Sequence, residues 1–217
     1  MAQGSSTTHA DVRMYQVVHN VFRLATTRFA DATEKLEPSA LQRMIGSRWE
    51  FYVAVLHHHH QVEDDSFFPA LLAVRPDMNA LITSLEDDHR QLIGVIDSAD
   101  SAVRAFEAHP DAAHQATMHE HVVAVRELFL PHLDTEDEKI LPAIAESIPP
   151  KQWEGMDKAA LKSVPRKYLP TAVGAMDEFI QGLPKDERPA APPPPIQVML
   201  ALSWRKKWSS WVKPLLV

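Results

Sequence analysis

The chain has 217 residues, 45% of them apolar and 24% charged, enough for one sizeable domain with an appendage. It contains no cysteine, which excludes disulfides, thiolate metal sites and cysteine nucleophiles. The net charge of −7 is uneven: from Ile196 onward four basic and no acidic side chains give +4, so the rest carries −11, which argues against nucleic-acid binding.

The opening stretch "MAQGSSTTHADVRMYQ" has neither a basic flank nor an apolar core, so no signal peptide is expected. No apolar run approaches the roughly 20 residues of a membrane span, and the cytoplasm is the expected location. Glycine is scarce, with six residues, and the long segments follow a helical period. Helix A is expected at about Asp11–Lys35 and helix B at about Ser39–Val74, stopped by "RPD". Helix C follows at about Asp77–Ala108, closed by "HPD", and helix D at about Asp111–Glu146, closed by "IPP". The expected fold is all-α, an up-down-up-down four-helix bundle over residues 1–150. Pro131 should kink helix D. Residues 151–188 suggest two shorter helices. Residues 189–217 combine a proline-rich linker with a basic amphipathic tail that carries Trp204, Trp208 and Trp211 on one helical face. Such a tail can lie on an anionic membrane surface. Packing on the bundle or in a homodimer is favoured, because the segment is short and Pro214 cuts it.

Helix B contains "VLHHHHQVEDDSFFPAL", four consecutive histidines followed by three carboxylates. Residues i and i+4 share a helix face, so His59 with Glu63, or His60 with Asp64, can aim two ligands at one point. The apolar seam Trp49, Tyr52, Leu56, Phe67 runs through His59 and Glu63.

An internal repeat decides between them. "HHQVEDDSFFPAL" aligns with "HLDTEDEKILPAI", placing His59 on His132, Glu63 on Glu136, Asp64 on Asp137 and Pro69 on Pro142. His57, His58 and His60 then meet Leu130, Pro131 and Leu133, and are expected on the surface or around the rim of a site. The repeat extends backward to "YQVVHNVFRL" with His19 and "LEDDHRQLIGV" with His89, which lie 40 residues before His59 and 43 before His132. The candidate ligands are His19, His59, Glu63, His89, His132 and Glu136. Four imidazoles and two carboxylates without sulfur suit iron, or less readily manganese, better than structural zinc. Six donors shared by two metals leave positions open for a small ligand. Tyr15, one turn before His19, is expected in the core.

These residues resemble the hemerythrin-like family, also called HHE cation-binding domains, in its bacterial di-iron form. The resemblance covers roughly Asp11–Glu146 and rests on H-x-x-x-E followed by "FFP" or "ILP", twice, together with His19 and His89. It implies a four-helix bundle around two iron ions bridged by oxo or hydroxo and by two glutamates. His19, His59 and Glu63 would come from the first half, and His89, His132 and Glu136 from the second. Oxygen-carrying relatives have a second histidine one turn after the helix C ligand, where this sequence has Ile93. They end with histidine and an aspartate five residues on, where Glu136 lies four on and Asp137 five.

The centre should therefore be more open, which favours hydrogen peroxide or nitric oxide chemistry over reversible oxygen carriage. The leading expectation is a protein that binds or turns over a small oxidant (peroxide, nitric oxide or dioxygen) in a stress response, with catalase-like or nitric-oxide-reducing activity undecided. The alternative is a redox, iron or oxygen sensor, or an oxygen store, without turnover. A ferritin-like oxidase would need E-x-x-H on two helices, and only "EDDH" at Glu86–His89 fits.

Overall fold

The computed structural model describes residues 9–217. Residues 1–8, counted above with the bundle and used in the argument against a signal peptide, lie outside the described residues. Among the described residues there is no strand, and no helix is long and apolar enough to cross a membrane.

Helix α1 spans Arg13–Lys35, and its buried side chains Tyr15, His19, Phe22, Thr26, Phe29 and Thr33 return every three or four residues. Helix B is broken where a continuous helix was expected. A short α2, Pro38–Gln42, stops at Arg43–Met44, and α3 starts again at Ile45 and runs to Val62. The break precedes Gly46, a poor residue for a helix interior. There α3 meets the end of the long α5, Asn79–Ala108, and a Cβ on Gly46 would displace the carboxylate end of the Glu107 side chain. The Gln42 amide donates to the Glu107 carbonyl at 2.9 Å, tying α2 to the same end. Helix α4, Phe68–Val74, ends before Pro76, which keeps Arg75 out of the helical conformation. The last bundle helix comprises α6, Ala112–Thr135, and α7, Leu141–Ser147. Asp111 caps α6 by accepting from the His114 amide at 2.9 Å.

The core falls into two apolar clusters. One is built around Phe22, Phe29, Trp49, Tyr52, Phe106 and Phe129, the other around Phe67, Phe68, Leu85, Ile140, Leu141 and Trp153. Along α1 the order is Tyr15, then His19, then Phe22, and along α5 it is Leu85, His89, Leu92. Both pass from the second cluster to the first. Leu56, His59 and Phe67 run the other way, as do Phe129, His132 and Ile140. That alternation is the one antiparallel neighbours produce, and it leaves a polar layer between two dry ones.

The remainder packs on the bundle. Helix α8, Pro150–Ser163, inserts Trp153 beside Phe67 and Tyr15, with its indole N–H donating to the Asp11 carbonyl at 3.0 Å. Helix α9, Leu169–Gly182, lies against α1 and against the tail. The tail forms α10, Pro194–Met199, a wide turn, and α11, Arg205–Val212. Trp208 is buried on α9 at Gly174, where an added Cβ would come within 2.6 Å of it, and its indole donates to Glu178 at 2.8 Å. Trp211 packs against Phe51 and Phe29, and Arg205 is paired to Asp177. The tryptophans are thus spent largely on the chain's own surface, while Val198, Met199 and Leu202 remain exposed.

Candidate metal centre

Each H-x-x-x-E segment ends in a π-helical turn, Glu63–Phe67 and Glu136–Ile140, in which the amides of Phe68 and Leu141 reach back five residues to Glu63 and Glu136. The prolines of the repeat explain the position. Pro69 and Pro142 have no N–H for the carbonyl four residues earlier, so the regular ladder fails within the preceding turn. Pro131, in contrast, does not break its helix. It lies on an exposed face and α6 continues through it, and the hydrogen-bond ladder changes one turn later, at Glu136.

The polar layer gathers all six candidate residues, and all are buried. Their donor atoms form two groups, His19 with His59, Glu63 and Glu136, and His89 with His132 and a further histidine, His60. Within each group the atoms lie within 4.8 Å of one another. The carboxylates stand between the groups. Glu63 Oε1 is 3.2 Å from His59 Nε2 and 3.8 Å from His19 Nε2, while its Oε2 is 3.6 Å from His89 Nε2. Glu136 Oε2 lies 3.5 Å from His19 Nε2 and 3.4 Å from His132 Nε2. Tyr15 donates its hydroxyl hydrogen to Glu63 Oε1 and packs on the His19 ring.

The acids that follow the glutamates turn outward and hold the opposite half. Asp137 contacts His19 Nδ1 at 2.7 Å, and Asp64 contacts His89 Nδ1 at 2.8 Å. A carboxylate accepting from Nδ1–H leaves the Nε2 lone pair facing inward, the usual outer support of a metal-bound imidazole. Arg23 braces Asp137 at 2.7 Å. Asp88 is 3.6 Å from His132 Nδ1, beyond hydrogen-bonding distance.

The electrostatics are those of a site built for cations. Burial and neighbouring imidazoles push His59 and His60 well below the ordinary histidine range. Burial opposes charge on His19 too, but Asp137 and Glu63 override it and raise the ring to about 9. Burial and the adjacent Glu136 push the Glu63 carboxyl up, whereas His132 and His19 hold Glu136 low despite its burial. Burial and both glutamates keep the Tyr15 phenol well above its usual range and so protonated. Inside the layer, His19 Nε2, His59 Nε2, His60 Nε2, Glu63 Oε2 and both Glu136 oxygens have no hydrogen-bond partner. Leaving each unmatched costs about 1–3 kcal/mol. Converging lone pairs on imidazole nitrogens and carboxylates fit a metal cation, and the donor set suits iron.

Of the other histidines, His57 is exposed and His58 binds Ser163 Oγ at 2.8 Å, as expected of side chains at the rim. His60 departs from that expectation, being 6% exposed and inside the polar layer. The signal lay in the repeat: its counterpart Leu133 is wholly buried, so a residue in that register faces inward whatever its chemistry. Asp64 and Asp137 were legible as aligned acids but not as histidine partners. Ile93 is 46% exposed and does not face the layer.

Comparison with curated proteins and with solved structures found no match. The family model described as the hemerythrin HHE cation-binding domain matches residues 11–144, more than half of the chain and the whole of the polar layer. With that match, and with a buried His/Glu cluster suited to the metal, typically iron, that such a domain holds, the chain belongs to the hemerythrin HHE cation-binding domain family.

Proposed function

We propose that this is a cytoplasmic di-iron protein that binds or turns over a small oxidant, with hydrogen peroxide and nitric oxide ahead of dioxygen, in a stress response. The observation that carries the proposal is the pair of buried carboxylates standing between two groups of imidazoles. His19 and His59 would hold one iron and His89 and His132 the other, with Glu63 and Glu136 shared. Two such irons supply electron exchange with a peroxide or diatomic ligand.

The chain's own side chains do the rest. Asp137 and Asp64 fix the tautomers of His19 and His89. Tyr15 keeps a proton on Glu63 Oε1's side of the layer, where a hydrogen-bond donor can meet a reduced ligand. Phe22 and Phe129 on one side, with Phe67 and Trp153 on the other, limit water in the layer. Any membrane or dimer contact of the tail would fall to Val198, Met199, Leu202, Leu216 and Val217, because Trp208 and Trp211 are engaged internally.

The test is consumption of peroxide and of nitric oxide by the iron-loaded full chain, alongside His59→Ala. Catalytic loss of either oxidant, abolished in the variant, supports turnover. Saturable binding without consumption supports the sensor, and a reversible oxygen adduct supports storage. A protein that neither binds nor consumes any of the three contradicts the proposal.

A further inference from the structure

We propose that His60 is a metal ligand, a fifth imidazole completing a trio with His89 and His132. The inference rests on the proposed metal centre and deepens it. His60 lies one residue after His59, about 100° further round the same helix, and so faces the opposite group of donors. One of its ring nitrogens belongs to the compact group formed with His89 and His132, all three rings being buried. The ring stacks on His89 at 4.2 Å between centroids and 15° between planes, and meets His132 edge-on at 5.7 Å.

The bland alternative is a histidine that merely fills space. That does not account for His60 Nε2, which is buried without a partner. A satisfied core histidine places both ring nitrogens in hydrogen bonds, because an unmatched one costs as much as a lost bond. An apolar residue would fill the same space at no such cost, as Leu133 does at the matching position of the other half. Asp64, the carboxylate one helical turn on, bonds His89, and His60 Nε2 is left without a partner.

The consequence is an asymmetric centre. Three imidazoles gather on the His89 side and two on the His19 side, with Glu63 and Glu136 reaching both. The position open to a small ligand then falls on the side of His19 and His59, next to the Tyr15 hydroxyl.

The test compares the full-length wild type with His60→Phe and His60→Ala after anaerobic loading with ferrous iron. The readouts are iron per chain, chelator competition and the imidazole-nitrogen signature in pulsed electron paramagnetic resonance. Phenylalanine preserves the stacking surface, so metal-free His60→Phe should melt no lower than metal-free wild type. The proposal predicts that the variant nonetheless loses one iron, or binds it over ~100-fold more weakly, beyond the ~10–100-fold typical of an outer partner. In His60→Ala, free imidazole in solution should restore that iron. Two irons held with wild-type affinity and an unchanged nitrogen signature in either variant would overturn the assignment. A wild type that takes up no iron would overturn the metal centre itself, and is recognisable because the failure precedes any substitution.

Discussion

Replacing Asp137 by Asn tests whether the acids behind the histidines set metal affinity. In the native chain one carboxylate oxygen accepts from His19 Nδ1 at 2.7 Å and the other pairs with Arg23 at 2.7 Å. The side chain is only 18% exposed, so solvent screens these contacts weakly. An asparagine of the same shape keeps one neutral acceptor and loses the charge. It can also turn its NH2 toward Nδ1, which would place the ring proton on Nε2 and aim it at the metal position. Loss of such a partner costs roughly 10–100-fold in metal affinity, or about 1.4–2.7 kcal/mol. Asp137 should lie near the upper end because its ion pair with Arg23 is lost as well, although Asp134 still holds that guanidinium at 2.8 Å. Asp64→Asn, at a side chain 39% exposed and with no arginine behind it, should cost less than about tenfold. Chelator competition on the iron-loaded proteins measures both, with melting of the metal-free forms reporting any folding defect. Wild-type affinity in Asp137→Asn, or a larger loss in Asp64→Asn, would refute the reasoning.

Three further outcomes follow from the same geometry. Stripping the metal should leave the converging donors unmatched and destabilise the fold by on the order of 5 kcal/mol. For a chain of this size that lowers the melting midpoint by about 10–20 °C, and calorimetry with and without chelator will show an unchanged midpoint if the layer is not a metal site. Tyr15→Phe removes the donor to Glu63 but no proposed ligand, so iron content should stay at the wild-type value; loss of iron would make the phenol a ligand. Gly174→Val drives a side chain into Trp208 Cβ, 2.6 Å from where even an alanine methyl would sit, and should free the tail to proteolysis without changing iron content. Tryptophan fluorescence that stays buried in that variant would contradict the packing described.

The helical period made α1 and α5 readable from sequence to within a few residues, because their buried side chains recur without interruption. Helix B was less legible. At its break, Arg43–Met44, the preceding Gln42 amide is bonded to the Glu107 carbonyl of another helix, and no local pattern encodes that contact. The wide turns after Glu63 and Glu136 were written in the sequence but went unread. Pro69 and Pro142 each withhold an N–H from the carbonyl four residues earlier and so mark where the regular ladder fails. The repeat brought the six candidate residues to one layer. It also set His60 aside, because a mismatch in chemistry was taken as a mismatch in position. Leu133 shows that the position is interior in both halves. The tail's docking was undecidable from its own amphipathic face, since the surface that receives Trp208 is Gly174, more than thirty residues earlier.

The central claim, that the buried layer between the two apolar clusters is a two-metal centre, is tested most directly by metal analysis of the freshly purified chain, with its optical spectrum, beside His59→Ala. The account predicts two irons per chain and near-ultraviolet absorption of a bridged di-iron centre, both lost or much reduced in the variant. A protein that carries no metal, or a single zinc, and is indifferent to the substitution would contradict it.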